Sequence, residues 1–464
     1  MSMIRAVLIS LLAVSSLMTL TTVFLLTNKD FYNTTSNLIK AKPDSRNGYS
    51  TTIINDSSEK SNSGSESSNV DIHDIISIDE HDDDYWSRPT LKSFINFNTS
   101  DEISIVTNIN ESYSYPDLSP TKNPWTESDY EPASVKPLVR ASDTRRVKAA
   151  LISLVRNEEL NDLLGTMSQI EDKFNKKFNY QWIFFNDEDF TQNFKDKTAE
   201  LAAPAKCTYV KIADSDWEEP EWIDLKKAEL LASGFKKEVQ YSDKPSYHRM
   251  CRWNSGIFFN DPAMRDLDWY WRVEPKTKYY CDIDYDVFAY MEDNDKDYGF
   301  NINLYDAPQS VATLWPTTVE FFANHTDYVH PNSARGWLIQ DSRQRHYSIT
   351  QGYSTCHFWS NFEIGRLDFF RSQEYTDFFK YLDRAGGFFY ERWGDAPVHS
   401  VALGLMTDKS RIHFFRDIGY NHIPYFNCHN SPKCSGCTPG LFAEVNDLKK
   451  ENCITEWFKI AGDN

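Results

Sequence analysis

The chain has no cysteine before Cys207, no surplus of positive charge and no glycine-rich phosphate loop. Its 68 acids against 49 bases give a formal charge of −19. That excludes the basic surface a nucleic-acid binder needs, so no nucleic-acid partner is expected. Neither GxGxxG nor GxxxxGK[ST] occurs, which removes the usual dinucleotide fingerprint and the P-loop. Internal repeats are absent as well. Beyond one early apolar run, the first 140 residues carry little periodic apolar pattern and cannot build a core.

That early run is residues 6–27, which contain no charge and are flanked by Arg5 and by Lys29-Asp30. About 20 apolar residues cross a bilayer, while a cleaved signal has an apolar core of only about 7–15. An uncleaved anchor is expected, with residues 1–5 cytosolic and the rest luminal. Residues 28–140 read as a stem. Seven of the twelve residues from Ser57 to Ser68 are serine, and Asp56 to Asp84 holds ten acids and one lysine, so this segment cannot offset its ordering entropy. Sequons begin at Asn33, Asn55, Asn98 and Asn110, and one more at Asn324; all five are candidate glycosylation sites.

A luminal location suits disulfides among the eight cysteines. Cys434 and Cys437 also have CxxC spacing, for which zinc or redox chemistry is the alternative. Residues 141–464 read as one large folded domain. Val147–Val155 suits a buried parallel strand, Leu160 to Phe174 keeps helical spacing, and Gln181–Phe185 is the next strand. This βαβ unit predicts a parallel sheet with helices on its faces and ligands at the carboxyl ends of its strands. Arg156 and Arg272 fall at such ends and are candidates for phosphate, since guanidinium binds phosphate in a bidentate way. Arg249 and Arg252 are secondary candidates that can equally pair with local acids.

Trp, Tyr, Arg and carboxylates crowd into a few stretches: Tyr247-His248-Arg249-Met250-Cys251-Arg252, Arg272-Val273-Glu274-Pro275, Cys281-Asp282-Ile283-Asp284-Tyr285-Asp286, His357-Phe358-Trp359-Ser360-Asn361-Phe362-Glu363 and Gly386 to His399. These stretches resemble the fungal Golgi α-1,2-mannosyltransferases, type II membrane enzymes that use GDP-mannose. The resemblance implies an A-type glycosyltransferase fold, a Rossmann-like α/β/α sandwich. It implies a retaining transfer of mannose to O-linked or N-linked glycans in the Golgi, with Mn²⁺ as cofactor. By the same resemblance His422 and Glu274 are metal candidates, Glu363 the nucleophile candidate and Tyr247 an acceptor contact. Asp395 is the second catalytic carboxylate expected, and Trp359 and His357 are expected to bind substrate. The variable position after Glu274-Pro275 is Lys276, a cation. Asp282-x-Asp284 looks like a metal motif but leads into a helix, where a structural role is at least as expected. A glycosidase using Glu363 with Asp395, and a mannan-binding lectin without catalysis, are the alternatives.

Overall fold

The computed structural model describes residues 146–461, Lys237 excepted. The expected anchor at 6–27, the stem at 28–140 and the sequons at Asn33, Asn55, Asn98 and Asn110 lie outside the described residues. No helix among the described residues is long and apolar enough to cross a membrane.

The first strand, β1 (Ala149–Leu154), is an apolar run buried almost throughout. Leu160, Leu163, Met167 and Ile170 then give helix α1 (Leu160–Ile170) one buried face. β2 (Gln181–Asn186) pairs parallel to β1. Helix α2 (Gln192–Ala202), capped by the Thr191 side chain on the Phe194 amide at 3.2 Å, leads to β3 (Cys207–Lys211), parallel to β2. Helices α3 (Leu225–Phe235) and α4 (Pro245–Gly256) precede β4 (Trp269–Val273), which lies parallel on the other side of β1. β5 (Lys278–Tyr279), helix α5 (Val287–Asp293), β6 (Tyr298–Phe300), β7 (Asn303–Tyr305) and helix α6 (Leu314–Asn324) follow. The run from Tyr298 to Tyr305 is split between two sheets.

β8 (Cys356–Phe358) pairs with β7, and a turn at 359–361 leads into β9 (Phe362–Arg366). Helices α7 (Gln373–Ala385) and α8 (Asp395–Met406), strands β10 (Ile412–Phe414), β11 (Tyr420–His422) and β12 (Tyr425–Asn427), and helix α9 (Ile454–Ala461) complete the domain.

The main sheet has seven strands in the order β10-β6-β9-β4-β1-β2-β3. It is mixed, not all parallel: β9 runs antiparallel between β4 and β6. Strand periodicity reports burial, not direction, so the sequence could not show this reversal. Helices cover both faces. Trp269, Trp271 and Val273 of β4 and Phe362 and Ile364 of β9 join α1 and α5 in one apolar cluster. Tyr270, Tyr298 and Phe300 face the other cluster, with α4, α7 and α8. The reversal matters for chemistry because it sets Glu363 of β9 directly opposite Arg272 of β4. Gly365 makes that approach possible; a Cβ there would stand 2.5 Å from the Tyr270 ring.

Three disulfides join Cys281 to Cys434, Cys356 to Cys453 and Cys428 to Cys437. Cys434 and Cys437 thus bond to different partners and form neither a zinc pair nor a redox pair. Cys207 and Cys251 are free thiols.

Candidate active site

β4 ends where Pro275 stops the ladder and Lys276 turns with φ 64°. Glu274 is the first residue beyond the strand, its side chain 26% exposed. Alternation places Arg272 on the α8 side of the sheet, buried. Its Nε and Nη2 both donate to Glu274 Oε1, at 2.9 and 2.5 Å, and its Nη1 donates to Asp395 Oδ2 at 2.5 Å. Burial alone would lower the pKa of this guanidinium. The neighbouring carboxylates of Glu274, Asp395 and Glu363 outweigh burial and hold its pKa well above the ordinary value. Arg272, expected at a phosphate, bridges two acids here, Glu274 and Asp395.

Asp395 opens α8, after Gly394 at the N-cap, where the helix dipole favours an anion. Ser360 Oγ, in the β8–β9 turn, donates to the same Oδ2 at 2.6 Å. Burial pushes the Asp395 pKa up, but Arg272, His399 and the Ser360 bond hold it below the usual carboxylate range.

Glu363 is fully buried. Tyr298 donates to its Oε2 at 2.9 Å, and His399 Nδ1 stands 3.0 Å from the same oxygen. Its Oε1 and the nearby Tyr270 hydroxyl are buried without hydrogen-bond partners among the described residues. Burial first, and the Glu363 charge second, push the Tyr270 hydroxyl pKa well up. The neighbouring Phe362 points to the opposite face of the sheet and does not cover this carboxylate. Arg366, three residues on, pairs with Asp295 and Asp297.

The carboxyl edge of the sheet carries the candidate metal and phosphate groups. Glu274 Oε2 and His422 Nε2 accept no partner among the described residues. His422, on the β11–β12 hairpin, meets the half-buried Trp359 edge-on at 5.0 Å between ring centroids. Among the described residues no three or more of His, Cys, Asp and Glu converge as a complete metal cage. One carboxylate oxygen and one imidazole nitrogen fit a divalent ion that takes its remaining ligands from substrate phosphates and water. Lys276 does not obstruct this: it is exposed and pairs with Asp162 of α1 at 3.3 Å. Asp282 and Asp284 are surface acids paired with Lys173 and Lys433, away from any metal role. Arg156, at the end of β1, is exposed, and its guanidinium has no ion pair among the described residues.

On the other side of Asp395 lies a second polar group. Tyr247, half-buried on α4, has the Arg392 guanidinium 5.9 Å from its ring centroid. Arg392 Nη2 donates to Asp306 Oδ1 at 3.0 Å, while its buried Nε has no partner among the described residues. The Asp306 charge next to Arg392 more than offsets burial and holds the guanidinium charged. His357, on β8, is buried, and burial pushes its pKa down, so the ring is neutral. Its Nδ1 meets the Thr355 carbonyl at 3.2 Å, and its Nε2 has no partner among the described residues.

Residues 105–462 match the family model described as glycolipid 2-alpha-mannosyltransferase, starting inside the segment read as stem. The chain belongs to the glycolipid 2-alpha-mannosyltransferase family. A probable mannosyltransferase, KTR4 of Saccharomyces cerevisiae, is 45% identical over 332 residues, 69% of this chain and 72% of that protein. The crystal structure of core-mannan synthase A (CmsA/Ktr4) from Aspergillus fumigatus, in a Mn/GDP form, is 54% identical with a TM-score of 0.68, covering 70% of this chain and 88% of that one. Ktr4p from S. cerevisiae in complex with GDP is 38% identical with a TM-score of 0.69, covering 80% and 98%.

Within this glycolipid 2-alpha-mannosyltransferase family member, the structure brings Arg272, Glu274, Asp395 and Glu363 into one cluster. It sets Trp359 and His422 side by side, and Tyr247 and His357 around the Arg392–Asp306 pair. Arg249 and Arg252 stand apart, each bidentate to an acid, Glu219 and Asp383 respectively. Sequence reasoning missed Asp306, Arg392 and Ser360 as site residues. Only the dense stretches around Ser360 and Arg392 hinted at two of them.

Proposed function

We propose that this chain is a retaining α-1,2-mannosyltransferase that moves mannose from GDP-mannose to terminal mannose of O-linked or N-linked glycans. The observation that carries this reading is the Glu274–Arg272–Asp395 bridge at the carboxyl edge of a mixed α/β sheet, with unpartnered ligand groups on either side. A relative named as a mannosyltransferase and solved with GDP, and a core-mannan synthase solved in a Mn/GDP form, support the donor.

The exposed Arg156 would bind the diphosphate. Glu274 Oε2 and His422 Nε2 would hold Mn²⁺, which when bound supplies positive charge to the leaving diphosphate. Asp395, its charge fixed by Arg272 and Ser360, sits between the two halves of the site and stabilises positive charge at the anomeric carbon. Glu363, on the same face of the sheet as Arg272 and Asp395, adds a second carboxylate beneath them. Because its Oε2 is held by Tyr298 and its whole side chain is enclosed, we favour a front-face path over covalent attack. The acceptor 2-hydroxyl oxygen bonds to the anomeric carbon as the sugar–phosphate bond breaks. The hydroxyl proton passes to the departing diphosphate. Tyr247, His357 and Arg392 orient the acceptor.

Residues 6–27 would anchor the enzyme in the Golgi membrane, with residues 28–140 as the stem and the catalytic domain luminal. Asn324, exposed at the end of α6, is accessible for a glycan, and the four stem sequons would carry others. The test is GDP release from GDP-mannose with methyl α-mannoside and Mn²⁺, with the linkage of the product read by NMR. An α-1,2-linked dimannoside is expected, and Asp395→Asn should abolish it. If the wild type forms no dimannoside, the reading fails.

A further inference from the structure

Tyr247 is well placed to meet an acceptor sugar, but one face of its ring is already taken. Tyr241 stacks on it with centroids 4.8 Å apart and planes 21° from parallel. Arg392 stands over the same ring. Tyr247 therefore offers an acceptor its hydroxyl, which has no partner among the described residues, more than a free aromatic face. The half-exposed face belongs to Tyr241, which is 48% exposed.

Tyr241 is not a floppy surface residue. Its φ is 65°, a left-handed conformation rarely adopted by a residue with a bulky side chain. The flanking backbone is tied down on both sides. The Lys244 amide donates to its carbonyl at 3.0 Å. The next residue, Ser242, is buried; its carbonyl lies 2.7 Å from His248 Nε2, and its hydroxyl donates to the Ala232 carbonyl of α3 at 3.3 Å. Lys236 and Asp243 close the loop with a 2.9 Å ion pair. An exposed aromatic face thus stacks on Tyr247, close to polar atoms that have no partner among the described residues: the Tyr247 hydroxyl, Arg392 Nε and His357 Nε2. Unpaired polar groups beside a flat apolar face match a pyranose, which has hydroxyls at its rim and C–H groups on its faces.

We infer that Tyr241 forms an outer acceptor subsite that stacks on the second sugar of an α-linked mannose chain, while Tyr247, Arg392 and His357 hold the terminal one. This rests on the mannosyltransferase reading and adds a specificity: the enzyme prefers an acceptor of two or more mannoses to a single one. The subsite shapes acceptor length and does not touch the donor.

The experiment compares methyl α-mannoside with methyl α-1,2-mannobioside as acceptors for the full-length, detergent-solubilised protein, wild type against Tyr241→Ala and Tyr241→Trp. Loss of a stacking ring should raise KM for the mannobioside roughly 3- to 10-fold in Tyr241→Ala. KM for the monosaccharide, and the rate of donor hydrolysis, should stay unchanged, and Tyr241→Trp should restore disaccharide use. Calorimetric binding of the mannobioside to the GDP-loaded protein gives a second readout that needs no turnover. Equal changes in KM for both acceptors would show that Tyr241 acts only by supporting Tyr247, and no change would show that it does nothing; either overturns the subsite. Tyr241-dependent binding without any transfer would sink the enzymatic reading and leave the subsite standing. No binding by the wild type would overturn the subsite itself.

Discussion

Arg272 and Asp395 pair at 2.5 Å although their side chains are each only 7% exposed. A buried pair adds little net stability against an apolar alternative, yet removing one partner leaves an uncompensated charge and costs about 3–5 kcal/mol. Asp395→Asn should therefore lose stability of that order in urea unfolding, and lose transfer activity roughly a hundredfold or more. The pH dependence has a definite sign. The folded Asp395 is held below its unfolded value of about 3.9. Its contribution is complete above about pH 4 and is lost as pH falls through the folded value. The stability gap between wild type and variant should be flat from about pH 5 to 8 and close only in acid. A gap that grows toward acid would contradict the pairing.

Glu391 behaves in the opposite way. It is buried, accepts bonds from Thr313 and Trp393, and its pKa is pushed up to about 7, chiefly by burial. Between about pH 4 and 7 the unfolded chain has ionised this group while the folded chain keeps the proton. The wild type should lose up to about 3 kcal/mol over that interval and then level off. Glu391→Gln should remove this part of the decline, whatever its effect at a single pH. Melting temperatures from pH 4.5 to 8 on both proteins would check it.

Much of the site was legible as chemistry before it was legible as geometry. The dense stretches from Tyr247 to His399 held the clustered residues, because so many charges and rings in an apolar context exceed what packing needs. What sequence could not supply was partner choice across long separations. Arg272 looked like a phosphate ligand because it ends a strand; an aspartate 123 residues later takes one of its donors. The Cys434-x-x-Cys437 spacing suggested a pair, yet Cys434 reaches back 153 residues to Cys281. Lys276 looked like an intruder in a metal motif until the left-handed turn carried its side chain out to Asp162.

Glu363 Oε2 and His399 Nδ1 stand 3.0 Å apart, both fully buried. His399 Nε2 lies 3.0 Å from the Asn254 carbonyl, which only accepts, so that nitrogen carries hydrogen. Nδ1 faces a carboxylate oxygen, and one proton must lie between them. The Tyr298 hydroxyl donates to the same oxygen at 2.9 Å, so a hydrogen on Nδ1 makes Oε2 accept from two sides. ¹⁵N spectra of the imidazole should show both nitrogens protonated in the wild type. In Glu363→Gln the amide can donate instead, and Nδ1 should lose its proton. An unchanged ring spectrum in that variant would show that the two groups are not coupled.

Metal dependence separates Glu274 and His422 from Lys276. If the free oxygen of Glu274 and the free nitrogen of His422 hold Mn²⁺, then His422→Ala should weaken Mn²⁺-dependent GDP binding at least about tenfold, since even outer-shell substitutions cost 10- to 100-fold. Adding a carboxylate at the turn, Lys276→Asp, should not tighten it. That position is exposed and its side chain leans toward Asp162 of α1, so an acid there lies beside a like charge instead of the ion. Titrating Mn²⁺ against fluorescent GDP in the three proteins reads both effects without turnover. Tighter binding in Lys276→Asp would place the metal at the turn itself. An unchanged affinity in His422→Ala would remove His422 from the ligand set and leave Glu274 with the diphosphate as the holders of the ion.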